Sequence, residues 1–175
     1  MGECSLRIVE EKDIELIKNW INNPKVHDFI RPRTPVTYEE VKKSYLSLPS
    51  EMKNIHFIIE DENKMPVGVV SLKNLHFVNK RAELHIFIGE DSARGKGYGK
   101  CGTLKILDFG FNKLNLFKIF LEVYEFNEKA VKLYEKIGFK IEGRLRFHSF
   151  KNGEYRHLLI MGILKDEYMK IHQNK

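Results

Sequence analysis

Apolar positions recur first at helical spacing and then at strand spacing. Ile14, Ile17, Trp20 and Ile21 fall on one helical stripe, which predicts an amphipathic helix capped by Asp13 and stopped near Asn22-Asn23-Pro24. A short strand, Ser5–Val9, precedes it. Pro32 and Pro35 mark an irregular stretch. Thr37-Tyr38-Glu39-Glu40 then has the spacing of a capping box and opens a helix through about Leu48. From Asn54 the period shortens to two. Strands are predicted at Asn54–Glu60, Val67–Leu75 and Ala82–Ile88, with polar turns at Asp61–Lys64 and Asn79-Lys80. A glycine-rich turn, Arg94–Gly99, leads into a helix to about Lys113. A strand at Lys118–Val123 and a helix at Glu128–Ile137 follow. Two final strands, near Lys140–Phe150 and Tyr155–Leu164, flank Asn152-Gly153, a strong hairpin signal. The order predicts an α/β chain of the α+β type. It reads as one domain over residues 1–175, with a central mixed, mostly antiparallel twisted sheet flanked by helices.

Composition narrows the class. In 175 residues, 42% are hydrophobic and 31% charged, the balance of a globular protein with a proper core. No apolar run approaches the roughly 20 residues of a membrane span, so no membrane partner is expected. The opening MGECSLRIVEEKDIE carries acidic residues where a secretory signal would be apolar. Cys4 and Cys101 are too few for a disulfide framework, and neither belongs to a metal-ligand spacing. A reducing cytoplasm is the expected location, and no metal is expected. The net charge of +6 is uneven: residues 81–175 hold 18 basic and 12 acidic side chains, whereas residues 1–80 hold 12 of each. An anionic partner for the second half is the first expectation.

The densest chemistry follows the strand at Ala82–Ile88. Arg94-Gly95-Lys96-Gly97-Tyr98-Gly99-Lys100 is a glycine-rich loop that opens a helix. Glycines let backbone amides approach a ligand, and the first N–H groups of a helix lack internal partners. With the helix dipole, these make a phosphate cradle. A P-loop needs Gly-x4-Gly-Lys-Ser/Thr, which this stretch lacks. Gly97-Tyr98-Gly99-Lys100-Cys101-Gly102 does match G-x-G-x-x-G, with Glu122 about 20 residues on. Its position is wrong for a dinucleotide fingerprint, because Gly97 lies well past the end of the strand and Glu122 sits inside the next one.

Arg94-Gly95-Lys96-Gly97-Tyr98-Gly99 resembles the Arg/Gln-x-x-Gly-x-Gly/Ala loop of the GNAT superfamily of acetyl-CoA-dependent N-acetyltransferases. Asn127 to Phe139 is similar to that family's N-x-x-A-x-x-x-Y-x-x-x-G-F landmark. Trp20-Ile21-Asn22-Asn23-Pro24 and the closing hairpin resemble the branch that acetylates ribosomal-protein N-termini and polyamines. The resemblance covers nearly the whole chain and implies a GNAT-like fold, with acetyl-CoA as donor and CoA as product. It also implies that the amides of Arg94, Gly95, Lys96, Gly97, Tyr98 and Gly99 clasp the CoA pyrophosphate. Pantetheine would pair with the strand near Phe87 and Ile88. Lys100 and Lys136 would add charge toward the phosphates, and Asn127 and Ala130 would line the cofactor arm. Asn127 has helix capping as its ordinary alternative.

Tyr134 is, by the resemblance, the general acid that protonates the departing CoA thiolate. Its alternative is a half-buried helix aromatic. An acceptor amine must shed its proton before it attacks, so a base is expected. Glu83 is the candidate, with His85 second, and both share a strand face with Phe87. An ordinary ion pair of Glu83 with Arg81 or Lys105 is its alternative. Cys101 is read as structural. The acceptor is a small-molecule or peptide amine: a protein N-terminus, a polyamine or an amino sugar. Arg31 and Arg33, with Arg144, Arg146, His148 and Arg156 on the hairpin, weigh toward an anionic acceptor or a solvated basic face. A dinucleotide-binding oxidoreductase and a non-catalytic module for CoA or nucleic acid are the alternatives. Nucleic acid is disfavoured for want of a recognisable motif, and a homodimer stays open.

Overall fold

The computed structural model describes residues 2–30, 35–46 and 53–172. The chain forms two compact units, one of residues 1–73 with 85–106 and one of residues 74–84 with 107–175.

In the first unit, β1 (Ser5–Ile8) pairs antiparallel with β2 (Ile55–Glu60), which pairs antiparallel with β3 (Pro66–His76). β4 (Arg81–Ile88) is the next neighbour of β3. α1 (Ile14–Asn22), the short α2 (Pro24–His27) and α3 (Tyr38–Leu46) lie between β1 and β2 in the chain. α1 buries Ile14, Ile17, Trp20 and Ile21, the stripe read from the sequence, in a cluster with Val9, Val41, Ile58 and Val69. Asp13 is not its side-chain cap. A 3-10 turn, Glu11–Asp13, precedes α1, and the Asp13 carboxylate instead accepts the Glu10 N–H at 2.9 Å. It also binds the Arg7 guanidinium through both oxygens at 2.7 Å, and Arg7 reaches Glu60 at 2.8 Å. Ion pairing outcompetes capping at Asp13 because its neighbour across the strand end is a guanidinium. The capping box of α3 forms as expected: the Thr37 N–H donates to Glu40 at 2.8 Å and the Glu40 N–H to the Thr37 hydroxyl at 3.3 Å. Leu48, Arg31 and Arg33 lie outside the described residues.

In the second unit, the start of β4 pairs in parallel with β5 (Lys118–Tyr124), through Arg81↔Lys118, Ala82↔Ile119 and Glu83↔Phe120. β5 pairs antiparallel with β7 (Glu154–Leu164), and β7 with β6 (Lys140–Lys151). β3 and β4 pass from one unit to the other, and the ladders are mostly antiparallel, as the alternation implied. Asn152 and Gly153 turn the β6–β7 hairpin with φ of 51° and 79°, the left-handed pair that a type I′ turn requires. α5 (Glu128–Ile137) spans the expected residues and ends at Gly138, with φ of 117°. The helix expected to run to Lys113 is α-helical only as α4 (Tyr98–Asp108), and a π-helical turn, Phe109–Lys113, finishes it. α6 (Lys165–His172), unmarked in the hydrophobic pattern, is held by Tyr168, whose ring meets Phe111 at 5.3 Å. No described helix is long and apolar enough to cross a membrane.

The two cysteines depart most from expectation. Cys4 and Cys101 form a disulfide, with their Cα atoms 6.1 Å apart. They stand 97 residues apart in sequence, so spacing gives no sign of the pairing. It arises because the fold sets the entry to β1 beside the first turn of α4.

Candidate active site

The first unit holds the glycine-rich loop. Asp91–Ala93 is a 3-10 turn, and α4 begins at Tyr98, inside the glycine-rich stretch rather than after it. Gly95 and Gly97 have φ of 76° and 97°, a region that side chains disfavour. A Cβ on Gly95 would meet only open space, so that backbone is bare toward solvent. The Arg94 N–H donates to Asp91 and the Lys96 N–H to Ala93. Among the described residues, the N–H groups of Gly95, Gly97, Tyr98, Gly99 and Lys100 have no acceptor. Free donors of this kind at a helix start have the chemistry that a phosphate cradle needs.

Side chains divide differently. Arg94 turns inward: Nε donates to the Ile88 carbonyl at 3.3 Å, and Nη2 is ion-paired with Asp91 at 3.2 Å outside hydrogen-bond geometry, so its guanidinium braces the loop. Tyr98 is buried and donates to Glu62 at 2.7 Å, and that carboxylate pushes the phenol up to about 12. Lys96 is exposed and Lys100 half-buried, which leaves cationic charge beside the free amides. Phe87 packs its ring edge-on to Trp20 at 6.4 Å. β3 comes very close at this point: a Cβ on Gly68 would lie 2.4 Å from the Phe87 carbonyl oxygen.

The same unit holds a polar cluster that sequence reasoning missed. His56 is buried on β2. Its Nδ1 lies 2.7 Å from the Ser71 hydroxyl and its ring meets Tyr45 at 4.6 Å, tilted by 50°, while Nε2 has no partner in hydrogen-bond geometry. Burial pulls its pKa down to about 4, and the nearby charges of Lys73 and His85 push the same way. The strand alternation had placed His56 on the face of buried Ile58 and Glu60, which was the available signal.

The second unit holds the remaining residues. Glu83 is buried on β4, and its carboxylate accepts the Asn74 side-chain amide at 2.9 Å. Asn127 caps α5, accepting the Ala130 N–H at 3.3 Å, so its ordinary role is present in the structure. Tyr134 is buried and set edge-on to Phe139 at 5.6 Å. Its hydroxyl has no hydrogen-bond partner among the described residues, and burial pushes it up to about 12. Ala130 is half-buried and Lys136 exposed on the same helix. Two of the hairpin cations are engaged: Arg144 makes a two-point pair with Glu125 at 2.6 and 2.7 Å. Arg156 binds Glu154 at 2.6 Å and lies over the Phe126 ring. That pairing removes Arg144 and Arg156 from the argument for an anionic acceptor.

The Acetyltransferase (GNAT) domain family matches residues 4–140. The chain belongs to the GNAT acetyltransferase family. A spermidine N(1)-acetyltransferase of Vibrio cholerae is 32% identical over 96% of both chains. A putative ribosomal N-acetyltransferase of Bacillus subtilis is 26% identical over 94% of this chain and 92% of its own. Both branches named by the opening and closing motifs are therefore among the relatives. The crystal structure of the Vibrio spermidine N-acetyltransferase with CoA and spermine superposes with a TM-score of 0.90, at 32% identity, over 95% of this chain and 98% of that one. A dodecameric structure of that enzyme superposes at 0.85, at 32% identity, over 97% of this chain and 98% of that one. This GNAT chain is accordingly an acetyl-CoA-dependent N-acetyltransferase that moves an acetyl group to a primary amine. The dinucleotide oxidoreductase and the non-catalytic module have no support.

Proposed function

We propose that this chain is a polyamine N-acetyltransferase, with residues 1–175 acting as one catalytic domain on spermidine-like primary amines. The observation that carries the reading is the likeness, at TM-score 0.90 and 32% identity, to an enzyme whose structure holds CoA and spermine. The ion pairing of Arg144 and Arg156 supports it, because carboxylates of this chain engage these two hairpin cations.

The residues present fit the donor. Free N–H groups at Gly95, Gly97, Tyr98, Gly99 and Lys100 can receive pyrophosphate oxygens, and Lys96, Lys100 and Lys136 supply charge. The backbone of Phe87 and Ile88, beyond the three-residue ladder with β5, offers strand-like pairing to an extended arm. Asn127 spends its side-chain carbonyl on the α5 cap and keeps its amide hydrogens for a ligand, and Ala130 keeps the helix surface low. Bound acetyl-CoA supplies an activated thioester.

Glu83 is the proposed base. Its carboxylate is held by Asn74 and takes the proton that an ammonium must lose, directly or through water. His85 is the second candidate, two residues along the same strand face. Tyr134 is the proposed acid. Its pKa near 12 keeps the phenol protonated at any working pH. Against a thiol of pKa near 8.5, complete proton transfer runs uphill by roughly 5 kcal/mol. Tyr134 therefore acts first as a hydrogen-bond donor to the developing thiolate, and the proton follows as charge builds on sulfur. A cytoplasmic location follows from dependence on an intracellular thioester. Self-association is also proposed: the dodecameric relative supports it, as do Phe147 and Tyr155, 62% and 65% exposed on the terminal hairpin.

An acceptor screen following CoA release with spermidine, spermine, N-terminal peptides and amino sugars tests the reading. Turnover is expected with the polyamines. A clear preference for peptides or amino sugars would overturn the polyamine assignment and leave the enzyme class standing.

A further inference from the structure

We propose that Cys4 and Cys101 are a thiol–disulfide modification site, and that its redox state sets how firmly the phosphate loop holds acetyl-CoA; this rests on the reading of that loop given above. The two sulfurs are bonded, and the cross-link lies against the cradle. Cys101 is in the first turn of α4, its N–H donating to the Gly97 carbonyl at 3.0 Å, so it directly follows the unpaired amides. Cys4 continues into β1, which is anchored by Arg7 to Glu60 and Asp13. Between these anchors, residues 2–4 lie over the loop. The Gly2 N–H donates to the Lys96 carbonyl at 3.1 Å, and Gly2 packs against the Tyr98 ring, whose hydroxyl is held by Glu62.

The disulfide makes this strap permanent. Without it, residues 2–4 keep the Gly2–Lys96 backbone hydrogen bond, the contact with Tyr98 and a weak approach of Cys101 Sγ to the Cys4 carbonyl at 3.9 Å, none of them covalent. A cradle that must be ordered during binding holds its ligand less tightly than one ordered beforehand. Cys4 is 9% exposed and Cys101 half-buried, so Cys101 is the sulfur open to exchange. The oxidant class is a small-molecule disulfide such as glutathione disulfide. The Cys101 thiolate attacks one of its sulfurs and displaces one glutathione thiolate. The Cys4 thiolate then attacks Cys101 Sγ of the mixed disulfide and displaces the second. The two protein thiols lose two protons and two electrons, and the oxidant leaves as two thiols.

The experiment compares the full chain after glutathione disulfide, after dithiothreitol, and as Cys4→Ser. It reads hydrogen exchange of amides 95–101 without ligand, and acetyl-CoA affinity by calorimetry. Slower exchange at 95–101 and five- to tenfold tighter binding are expected in the oxidised form. Cys4→Ser is expected to match the reduced chain and to ignore dithiothreitol. By linkage, saturating acetyl-CoA makes the disulfide harder to reduce by the same factor, where tenfold corresponds to about 30 mV for two electrons. Two free thiols persisting under excess glutathione disulfide, or equal exchange at 95–101 in both states, overturns the proposal. Binding of equal strength in both forms overturns the coupling alone. Absence of binding in either form overturns the loop reading, and the coupling with it.

Discussion

Acid should destabilise this protein through one buried imidazole. His56 has an ordinary pKa near 6.5 in an unfolded chain and about 4 in the folded one. The cause is burial, reinforced by Lys73 and His85 and only partly offset by the Ser44 backbone. The folded-state value lies below the unfolded one. The stability it provides is therefore complete above pH 6.5 and lost as pH falls toward 4, because the unfolded chain binds a proton that the folded chain refuses. At 1.36 kcal/mol per pKa unit, the full loss is about 3.4 kcal/mol, of which about 2 kcal/mol appears between pH 7 and pH 5. Urea unfolding at closely spaced pH values measures this slope in the native chain and in His56→Gln, whose amide can still meet the Ser71 hydroxyl. The difference between the two slopes isolates His56 from the other histidines. Parallel slopes, or an imidazole of His56 that titrates near 6.5 by NMR in the folded protein, would show that His56 is not the source of the acid sensitivity.

Tyr134→Phe removes the only polar atom of a buried ring; kcat should fall by about 10²-fold or more, with acetyl-CoA affinity within about twofold by calorimetry, and an unchanged kcat would take Tyr134 out of the mechanism. Glu83→Gln should slow turnover most near neutral pH and recover as pH rises toward the amine's own pKa, about 10, where solvent deprotonates the acceptor; an unaltered pH–rate profile would end the assignment of Glu83 as base. Gly68→Ala drives a methyl against the Phe87 carbonyl, a backbone atom 2.4 Å away that cannot turn aside. The end of β4 must shift, and acetyl-CoA affinity should fall by about tenfold, a cost of about 1.4 kcal/mol; affinity equal to the parent would show that this stretch of backbone does not meet the cofactor.

The helix of the second motif was legible because several local signals coincide there: Asn127 as cap, the stripe of Tyr134 and Ile137, and Gly138 as terminator. The Asn152-Gly153 turn was legible for the same reason, since few residues tolerate that pair of dihedrals. The phosphate loop was legible as composition but not atom by atom. Glycine content foretold a bare backbone, yet the inward turn of Arg94 depends on Ile88 and Asp91 closing around it. Asp13 misled because its tertiary partner, Arg7, outweighs its local one. α6 escaped because its burial comes from one ring, Tyr168, on a distant Phe111. The disulfide was invisible in principle: two cysteines 97 residues apart carry no spacing signal, and only the completed fold brings them together.

The proposed reaction is acetyl transfer from acetyl-CoA to a polyamine amine. It is tested most directly by incubating the purified chain with acetyl-CoA and spermidine and measuring CoA thiol and acetylated polyamine in the same samples. Spermidine should gain a single acetyl group on a primary amine, in a one-to-one ratio with CoA released, and both products should fall together, by about 10²-fold in rate, in Tyr134→Phe. CoA released without acetylated spermidine, or no reaction under saturating donor and acceptor, would contradict it.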